Sequence, residues 1–185
     1  MKKIILASDS PRRHELMKSA GFSFDIIPAQ KEEIIQENAA PKEAVIVLAL
    51  QKAKEVFALN PDCIIIGADT IVAIDGEILG KPRDKAEAFA MLKKLSGRTH
   101  SVFTGVAICE TNRNETFAEQ TKVEFYDLSD DEINAYIETR EPFDKAGAYG
   151  IQGKGSLLIK SISGDYYNIM GLPIAKLSRI LQVNF

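Results

Sequence analysis

The sequence predicts an α/β fold in which a mixed, twisted sheet is flanked by helices. Residues 63–68 form an apolar run without alternation, which is typical of a central strand covered on both faces. Lys42–Leu59 carries apolar residues on one side at helical spacing, as expected for a helix packed on such a sheet. Because strand–helix units alternate with hairpin patterns, the sheet is expected to contain both parallel and antiparallel strands.

The chain has 185 residues, of which 45% are hydrophobic and 26% charged. A chain of this size buries roughly 70% of its unfolded surface, so one domain over residues 1–185, with or without two lobes that share a sheet, is the default expectation. The net charge of −3 argues against a broad nucleic-acid interface, which needs a basic face. A small anionic ligand remains compatible with it, since a few local cations suffice.

The first half of the chain begins with a strand and a helix. Serine is a favourable N-cap and proline suits a first helical turn, so Ser10 and Pro11 predict a helix start, and Gly21 predicts its end. The remaining elements expected here are strands at Ile4–Ser8 and Phe22–Ile27, a polar loop at Glu32–Ala40 and the helix at Lys42–Leu59.

The second half combines hairpins with capped helices. Asp75-Gly76 predicts a type I′ turn between strands Ile71–Ile74 and Glu77–Leu79. Asp84 with Glu87, and Ser129 with Glu132, have the spacing of capping boxes that begin helices. The other expected elements are strands at Ser101–Glu110, Glu115–Asp127 and Ser156–Ile162, and a closing helix that starts at Pro173 and continues through Leu181.

The two cysteines, Cys63 and Cys109, lie in apolar strand-like runs without metal-ligand spacing, and are expected to be buried free thiols. Free thiols indicate a reducing compartment. The four-residue apolar run at Ile4–Ala7 is too short for a signal peptide, and nowhere do 18 apolar residues follow one another. The expectation is a cytoplasmic protein without a membrane span.

The segment from Ser8 to Arg13 follows a strand and opens a helix. Free backbone N–H groups and the positive end of the helix dipole therefore stand beside the guanidinium groups of Arg12 and Arg13. Arginine matches the geometry of phosphate oxygens, so the segment is a candidate phosphate cradle. The alternative is a well-capped helix whose arginines are solvated.

Three further residues have the chemistry of a phosphate-processing site. Asp69 directly follows the central strand, where ligands of α/β proteins collect, and either binds Mg²⁺ or orients a water, or is an ordinary turn aspartate. Lys52 falls on the apolar stripe of its helix, so it either reaches the protein edge or binds a buried anion. Lys81 lies in a stiff Gly-Lys-Pro turn and is either a ligand or solvated.

Residues 147–155 contain four glycines, which allow close backbone approach or positive φ. Gln152 offers both a donor and an acceptor, as recognition of a base requires; a flexible surface loop is the alternative. Only two histidines, His14 and His100, are present. Carboxylates with lysine and arginine, and few histidines, point to Mg²⁺-assisted chemistry on a polyanion.

Six segments together resemble the Maf family, whose fold is related to the inosine triphosphatases (Ham1-type). In chain order they are Leu6–Arg13, Gly67–Thr70, Leu79–Pro82, Leu95–His100, Lys145–Gly153 and Gly171–Pro173. Each segment alone is unspecific, but six in the same order across the chain make a specific match. The resemblance implies two lobes with a cleft, a homodimer, and cleavage of nucleoside triphosphates to monophosphate and pyrophosphate, which removes non-standard or excess pyrimidine nucleotides.

The resemblance also implies roles for individual residues. Asp69 matches the proton acceptor, and Arg12, Thr70 and Gln152 match positions that in this branch of the family accompany dTTP and UTP. The remaining assignments are phosphate binding by Ser8, Arg13, Lys52 and Lys81, and binding of a divalent metal, Mg²⁺ or Mn²⁺, by Glu33, Asp69 and Asp84.

Two other functions are open at this point. The first is a nucleotide-binding regulator of cell division or septum formation that needs no turnover. The second is a nucleic-acid binder, which the net charge of −3 disfavours. The enzyme is the function that explains carboxylates and cations at these positions together.

Overall fold

The computed structural model describes residues 2–31, 39–111 and 113–184. The described residues form seven strands and six α-helices, joined in places by 3-10 turns. In chain order these are β1 Ile4–Leu6, α1 Pro11–Ser19, β2 Phe24–Ile26, α2 Pro41–Phe57, β3 Ile64–Ile74, β4 Glu77–Leu79, α3 Lys85–Leu95, β5 Thr99–Glu110, β6 Arg113–Phe125, α4 Asp130–Glu138, β7 Ile159–Ser163, α5 Tyr166–Met170 and α6 Ile174–Asn184. The expected α/β class is confirmed.

The sheet is mixed, as expected. Its strands follow the order β2-β1-β3-β5-β6-β7, and β4 pairs with β3. Strand β1 is parallel to both β2 and β3, with Leu6 opposite Ile26 and Ile66. The β3–β4 and β6–β7 pairs are antiparallel. The connection from β1 to β2 runs through α1, and α2 lies in the chain between β2 and β3, which gives the strand–helix units that the sequence predicts.

The chain forms two compact units. The first consists of the described residues within 1–69, 104–119 and 171–185, and the second of those within 70–103 and 120–170. Both units are assembled from separate stretches of chain, because β3, β5 and β6 each contribute residues to both. The single domain over residues 1–185 stays a prediction.

Helix α2 supplies much of the apolar core of the first unit. Its inward residues Ala49, Ala53 and Val56 are buried against the sheet, in a cluster with Ile5, Ala7, Ile65, Ala107 and Cys109. The stripe that the sequence predicts is therefore confirmed, and the helix begins at Pro41 and ends at Phe57.

Two glycines of the sheet set the distance between α2 and the strands. A Cβ at Gly67 of β3 would lie 2.3 Å from the carbonyl oxygen of Ala49. A Cβ at Gly105 of β5 would lie 2.2 Å from the carbonyl oxygen of Val45. Val45 and Ala49 are one helical turn apart. The backbone of α2 therefore rests directly on two strands at points where a side chain has no space.

The second unit has its own core, to which α3 and α4 contribute. Leu92, Leu95 and Ile133 pack there with Phe125 and Tyr149. Ser129 and Glu132 form the complete capping box that the sequence predicts for α4.

The other predicted capping box, at the start of α3, is half correct. Asp84 accepts a hydrogen bond from the Glu87 backbone N–H. The Glu87 carboxylate binds the backbone and guanidinium of Arg83 instead of the backbone of Asp84, because the arginine offers a charged donor.

Strand β3 is longer than the sequence predicts, and this changes the place of Asp69. The strand runs without a break from Ile64 to Ile74, so Asp69 lies within it and not at its end. The parallel pairing with β1 ends at Ile66, and the following residues continue into the β3–β4 hairpin. Asp75 and Gly76 both have positive φ, 53° and 79°, as the predicted type I′ turn requires.

The chain after Gly147 differs most from expectation. A 3-10 turn occupies Gly153–Leu158, so the last strand begins at Ile159 instead of Ser156. Residues 166–170 form a short helix because Asp165 accepts a hydrogen bond from the Tyr167 N–H at 2.8 Å and caps it. Ser10 is the N-cap of α1, but its side chain makes no capping hydrogen bond.

The two cysteines are free, as the sequence predicts. Cys63 and Cys109 are both free thiols; Cys109 is buried and Cys63 half-buried. Burial raises the pKa of the Cys109 thiol. None of the helices in the described part of the chain has the length and apolarity that crossing a membrane requires.

We expect Gly105→Ala to destabilise the protein, because the new methyl group meets helix backbone and not a flexible side chain. Overpacking of this kind costs about 3 kcal/mol in the free energy of unfolding, measured by urea denaturation. Gly80→Ala is the matched control, since a Cβ at Gly80 meets nothing within 4 Å. Equal stability of the two variants would contradict the contact.

Candidate active site

Ser8 connects β1 to α1 and holds three groups around it. Its hydroxyl accepts hydrogen bonds from Arg13 Nη1 at 3.1 Å and from the Ser10 N–H at 3.3 Å. Its carbonyl oxygen accepts a hydrogen bond from His14 Nε2 at 2.7 Å. The junction between strand and helix is thus fixed by side chains of the first helical turns, and both Ser8 and Arg13 are buried.

Arg13 is also held from the other end of the chain. Its Nε donates to the carbonyl oxygen of Gly171 at 2.7 Å. Two neutral oxygen atoms thus orient the Arg13 guanidinium, and the planar fork of arginine matches the geometry of phosphate oxygens. Arg12 on the same turn is half-buried. Because Arg13 is buried, it is not a solvated arginine, and the phosphate cradle stays a prediction.

Lys52 and Asp69 form a salt bridge of 2.5 Å between Nζ and Oδ1. Both side chains are largely buried, with 17% and 12% of their surfaces exposed. Lys52 was expected either to reach the protein edge or to bind a buried anion. It binds a buried anion, the Asp69 carboxylate. The close contact at Gly67 explains the pair, since Lys52 lies between Ala49 and Ala53, which pack on Gly67, and Asp69 is two residues further along β3.

Ser8 and Asp69 both follow the point at which the parallel pairing of β1 with β3 ends. The parallel register ends at Leu6 opposite Ile66, and the Ala7 N–H donates to the Ile66 carbonyl oxygen at 2.8 Å. Ser8 follows Leu6 by two residues, and Asp69 follows Ile66 by three. Ser8 and the Lys52–Asp69 pair thus lie just past the carboxyl ends of the segments in which β1 and β3 pair. Ligands of α/β proteins bind at this edge of the sheet.

In the second unit, Gly147 brings three predicted segments together. Its N–H donates to the Gly80 carbonyl oxygen at 3.0 Å, beside exposed Lys81. A Cβ at Gly147, which has a φ of +66°, would lie 2.9 Å from Val72. Val72 and half-buried Thr70 share one face of β3, because side chains alternate along a strand. The glycine-rich loop, the lysine turn and the Thr70 strand are therefore in mutual contact.

The loop that carries Gln152 is folded tightly on itself. A Cβ at Gly155 would lie 2.2 Å from the Gly150 carbonyl oxygen and 2.7 Å from the Tyr136 hydroxyl. The Gly150 N–H donates to that hydroxyl at 3.4 Å. Gln152 is half-buried and immediately precedes the 3-10 turn. The close contacts argue against the flexible loop that the glycines alone left open.

Sequence reasoning missed the partner of His100. His100 is buried, and its Nε2 shares a hydrogen bond of 2.6 Å with the Tyr149 hydroxyl. Phe125 packs edge-on against both rings, with centroids 5.1 and 4.7 Å away. Burial lowers the pKa of His100 to about 4 and raises that of Tyr149 above its usual range. His100 is thus a packed, neutral histidine.

Two of the three predicted metal ligands, Asp69 and Asp84, lie in the part of the chain that the structure describes. Glu33 lies outside the described residues, Asp69 is paired with Lys52, and exposed Asp84 caps α3. Within the described ranges, no three His, Cys, Asp or Glu side chains are grouped so that they could hold a metal ion. Mg²⁺ commonly uses one or two carboxylates and completes its shell with phosphate oxygens and water, so a single buried carboxylate suits such an ion.

Comparison with known proteins gives a consistent result. The family model described as Maf-like protein matches residues 3–184. A dTTP/UTP pyrophosphatase of Bacillus pumilus is 57% identical over 182 residues, 98% of this chain and 96% of the relative. A dTTP/UTP pyrophosphatase of Bacillus velezensis is 55% identical, with coverage of 98% and 96%.

Among solved structures, a HAM1 protein from Coxiella burnetii is similar with a TM-score of 0.57 and 16% identity, over 98% of this chain and 99% of that one. The likeness confirms the expected Ham1-type fold.

We expect stability to fall with acid because of His100. Between pH 6.5 and 4 the unfolded chain binds a proton at this histidine that the folded chain does not, so the free energy of unfolding falls as the pH falls through this window, by roughly 3 kcal/mol in total. Urea denaturation at several pH values measures the slope, which His100→Gln should reduce. An unchanged slope in the His100 variant contradicts the prediction.

We expect Lys52→Met to cost about 2 kcal/mol, because it leaves the Asp69 carboxylate buried without its cation. Lys54→Met is the matched control on the same helix, since Lys54 is exposed, and should change stability by no more than about 0.5 kcal/mol. Chemical denaturation compares the two variants. A Lys52 variant as stable as the Lys54 variant would show that the pair contributes nothing to the fold.

Proposed function

The chain belongs to the Maf-like protein family, and we propose that it is a nucleoside triphosphate pyrophosphatase that acts preferentially on dTTP and UTP. The observation that carries the proposal is the similarity over nearly the whole chain to Bacillus proteins named dTTP/UTP pyrophosphatases, at 57% and 55% identity. The products are the nucleoside monophosphate and pyrophosphate. The cell thereby removes non-standard or excess pyrimidine nucleotides.

The reaction needs a positioned water and compensation of charge. A water oxygen attacks the α phosphorus, the bond from that phosphorus to the bridging oxygen breaks, and pyrophosphate leaves with the electron pair. Asp69 accepts the proton of the water, and Lys52 fixes the carboxylate for this role. Positioning and electrostatics dominate phosphoryl transfer, so a preformed pair is well suited to it.

We propose that Arg13, Lys52 and Lys81 bind the phosphates. Arg13 is held in place by Ser8 and Gly171. The positive end of the α1 helix dipole favours phosphate as well.

Selection of the base is assigned to Arg12, Thr70 and Gln152. The amide of Gln152 can donate to and accept from the edge of thymine or uracil, which carries a carbonyl oxygen beside an N–H. Support comes from the tight loop around Gln152 and from the contact of Gly147 with Val72, which ties that loop to the Thr70 strand.

We also propose a divalent metal, Mg²⁺ or Mn²⁺. Asp69 would hold it, with Glu33 and Asp84 as the further carboxylates, and phosphate oxygens would complete the shell. When bound, the ion neutralises charge on the phosphate oxygens. A cytoplasmic location is supported by the two free cysteines, and a homodimer by the family resemblance alone.

Product analysis with Mg²⁺ tests the function. We expect dTTP and UTP to give monophosphate and pyrophosphate faster than CTP, ATP, GTP or 7-methyl-GTP. Asp69→Asn should reduce turnover by at least about a hundredfold and leave the circular dichroism spectrum unchanged.

Near-normal turnover in Asp69→Asn would overturn the role of Asp69, and preference for 7-methyl-GTP would overturn the assignment of Arg12, Thr70 and Gln152. Nucleotide binding without products, from folded protein, would favour the regulator.

A further inference from the structure

The loop around Gln152 receives support from Glu141, a residue outside every motif that the sequence singled out. The Glu141 carboxylate accepts hydrogen bonds from the Lys154 N–H at 3.2 Å and from the Gly155 N–H at 3.3 Å, one on each oxygen. These N–H groups belong to the first turn of the 3-10 helix Gly153–Leu158, which Gln152 precedes. A carboxylate at a helix N-terminus satisfies donors that the helix itself leaves unpaired.

The fit between Glu141 and the loop is close. Gly153 has a φ of +65°, and a Cβ there would lie 2.8 Å from the Glu141 carboxylate. Any other residue at this position would displace the carboxylate or the turn. Glu141 thus contacts Gly153, Lys154 and Gly155, the three residues directly after Gln152.

Glu141 is itself held in place. The Lys145 ammonium donates to the Glu141 carbonyl oxygen at 2.5 Å and to Asp144 at 2.6 Å. The methylenes of the same lysine cover Gly150, where a Cβ would lie 2.8 Å from them. Lys145 therefore packs against the start of the loop at Gly150, and Glu141 binds its end at Lys154 and Gly155.

We propose that Glu141 is a positioning residue that sets the selectivity for the pyrimidine base by fixing Gln152. The proposal rests on the proposed function, in which Gln152 reads the base. Glu141 acts through the backbone that follows Gln152 and touches neither phosphate nor water in this scheme. Its loss should therefore weaken the discrimination between bases more than the chemical step.

The test compares Glu141→Ala and Glu141→Gln with the wild type. The ratio of kcat/KM for dTTP to that for ATP should fall about tenfold or more in Glu141→Ala, mainly through a higher KM for dTTP. Glu141→Gln should lie between, since its amide has one acceptor oxygen in place of two. Glu138→Ala is the control, because Glu138 is exposed and its ion pair is with Lys85, and its ratio should not change.

Hydrogen exchange gives a readout independent of activity. In Glu141→Ala the amides of Lys154 and Gly155 lose their acceptor, so a peptide covering residues 150–158 should exchange faster. Glu141→Gln keeps the shape of the side chain and allows both measurements if the alanine variant does not fold. Unchanged exchange would overturn the support of the loop by Glu141, and faster exchange with an unchanged dTTP/ATP ratio would overturn its role in selectivity.

Failure of the proposed function is seen separately. If the wild type binds dTTP but releases no pyrophosphate, the reaction is wrong. The ratio of the dissociation constants for dTTP and ATP, measured in EDTA with the same variants, then tests Glu141. A ratio that is the same in the wild type and in Glu141→Ala would overturn the inference.

Discussion

The direct contact between the backbone of α2 and the sheet is the constraint on which the first unit depends. At Gly67 and at Gly105 the helix lies so close that a single methyl group has no place. Close packing brings the middle of α2 to the strand that carries Asp69, and this allows Lys52 to reach the carboxylate while both stay largely buried. A buried lysine or a buried aspartate alone would be costly. The buried pair of Lys52 and Asp69 is thus a consequence of how helix and sheet pack.

Local sequence patterns predicted correctly those elements that depend on interactions between residues close together in the chain. Apolar spacing predicted α2, the Ser129–Glu132 box predicted the start of α4, and Asp75-Gly76 predicted the β3–β4 turn; all three are confirmed. The end of a strand depends on its partners, and here prediction failed. β3 continues past Asp69 because it changes from parallel pairing with β1 to antiparallel pairing with β4, and no residue near Asp69 indicates that change.

The candidate site shows the same division. Residue types pointed to Arg13, Lys52 and Asp69, since a charged group on an apolar stripe or after a buried strand is unusual in itself. Partners distant in the chain could not be read from the sequence: Gly171, which holds Arg13, is 158 residues away, and Tyr149 meets His100 across 49 residues. Glu141 is an ordinary surface glutamate in the sequence, and only the fold places its carboxylate against the amides of Lys154 and Gly155.

Glycine has two distinct uses in this chain, and they bear differently on function. Gly67 and Gly105 make space for a helix, so their effect on the site is indirect and passes through the position of Lys52. Gly150, Gly153 and Gly155 make space for Lys145, Glu141 and the loop's own backbone, so they act next to Gln152. The number of glycines in the sequence suggested a flexible loop. A Cβ at each of these three positions, however, would meet a neighbouring atom within 2.8 Å. The backbone on either side of Gln152 is therefore closely packed, and a backbone packed in this way loses little conformational entropy when a ligand binds.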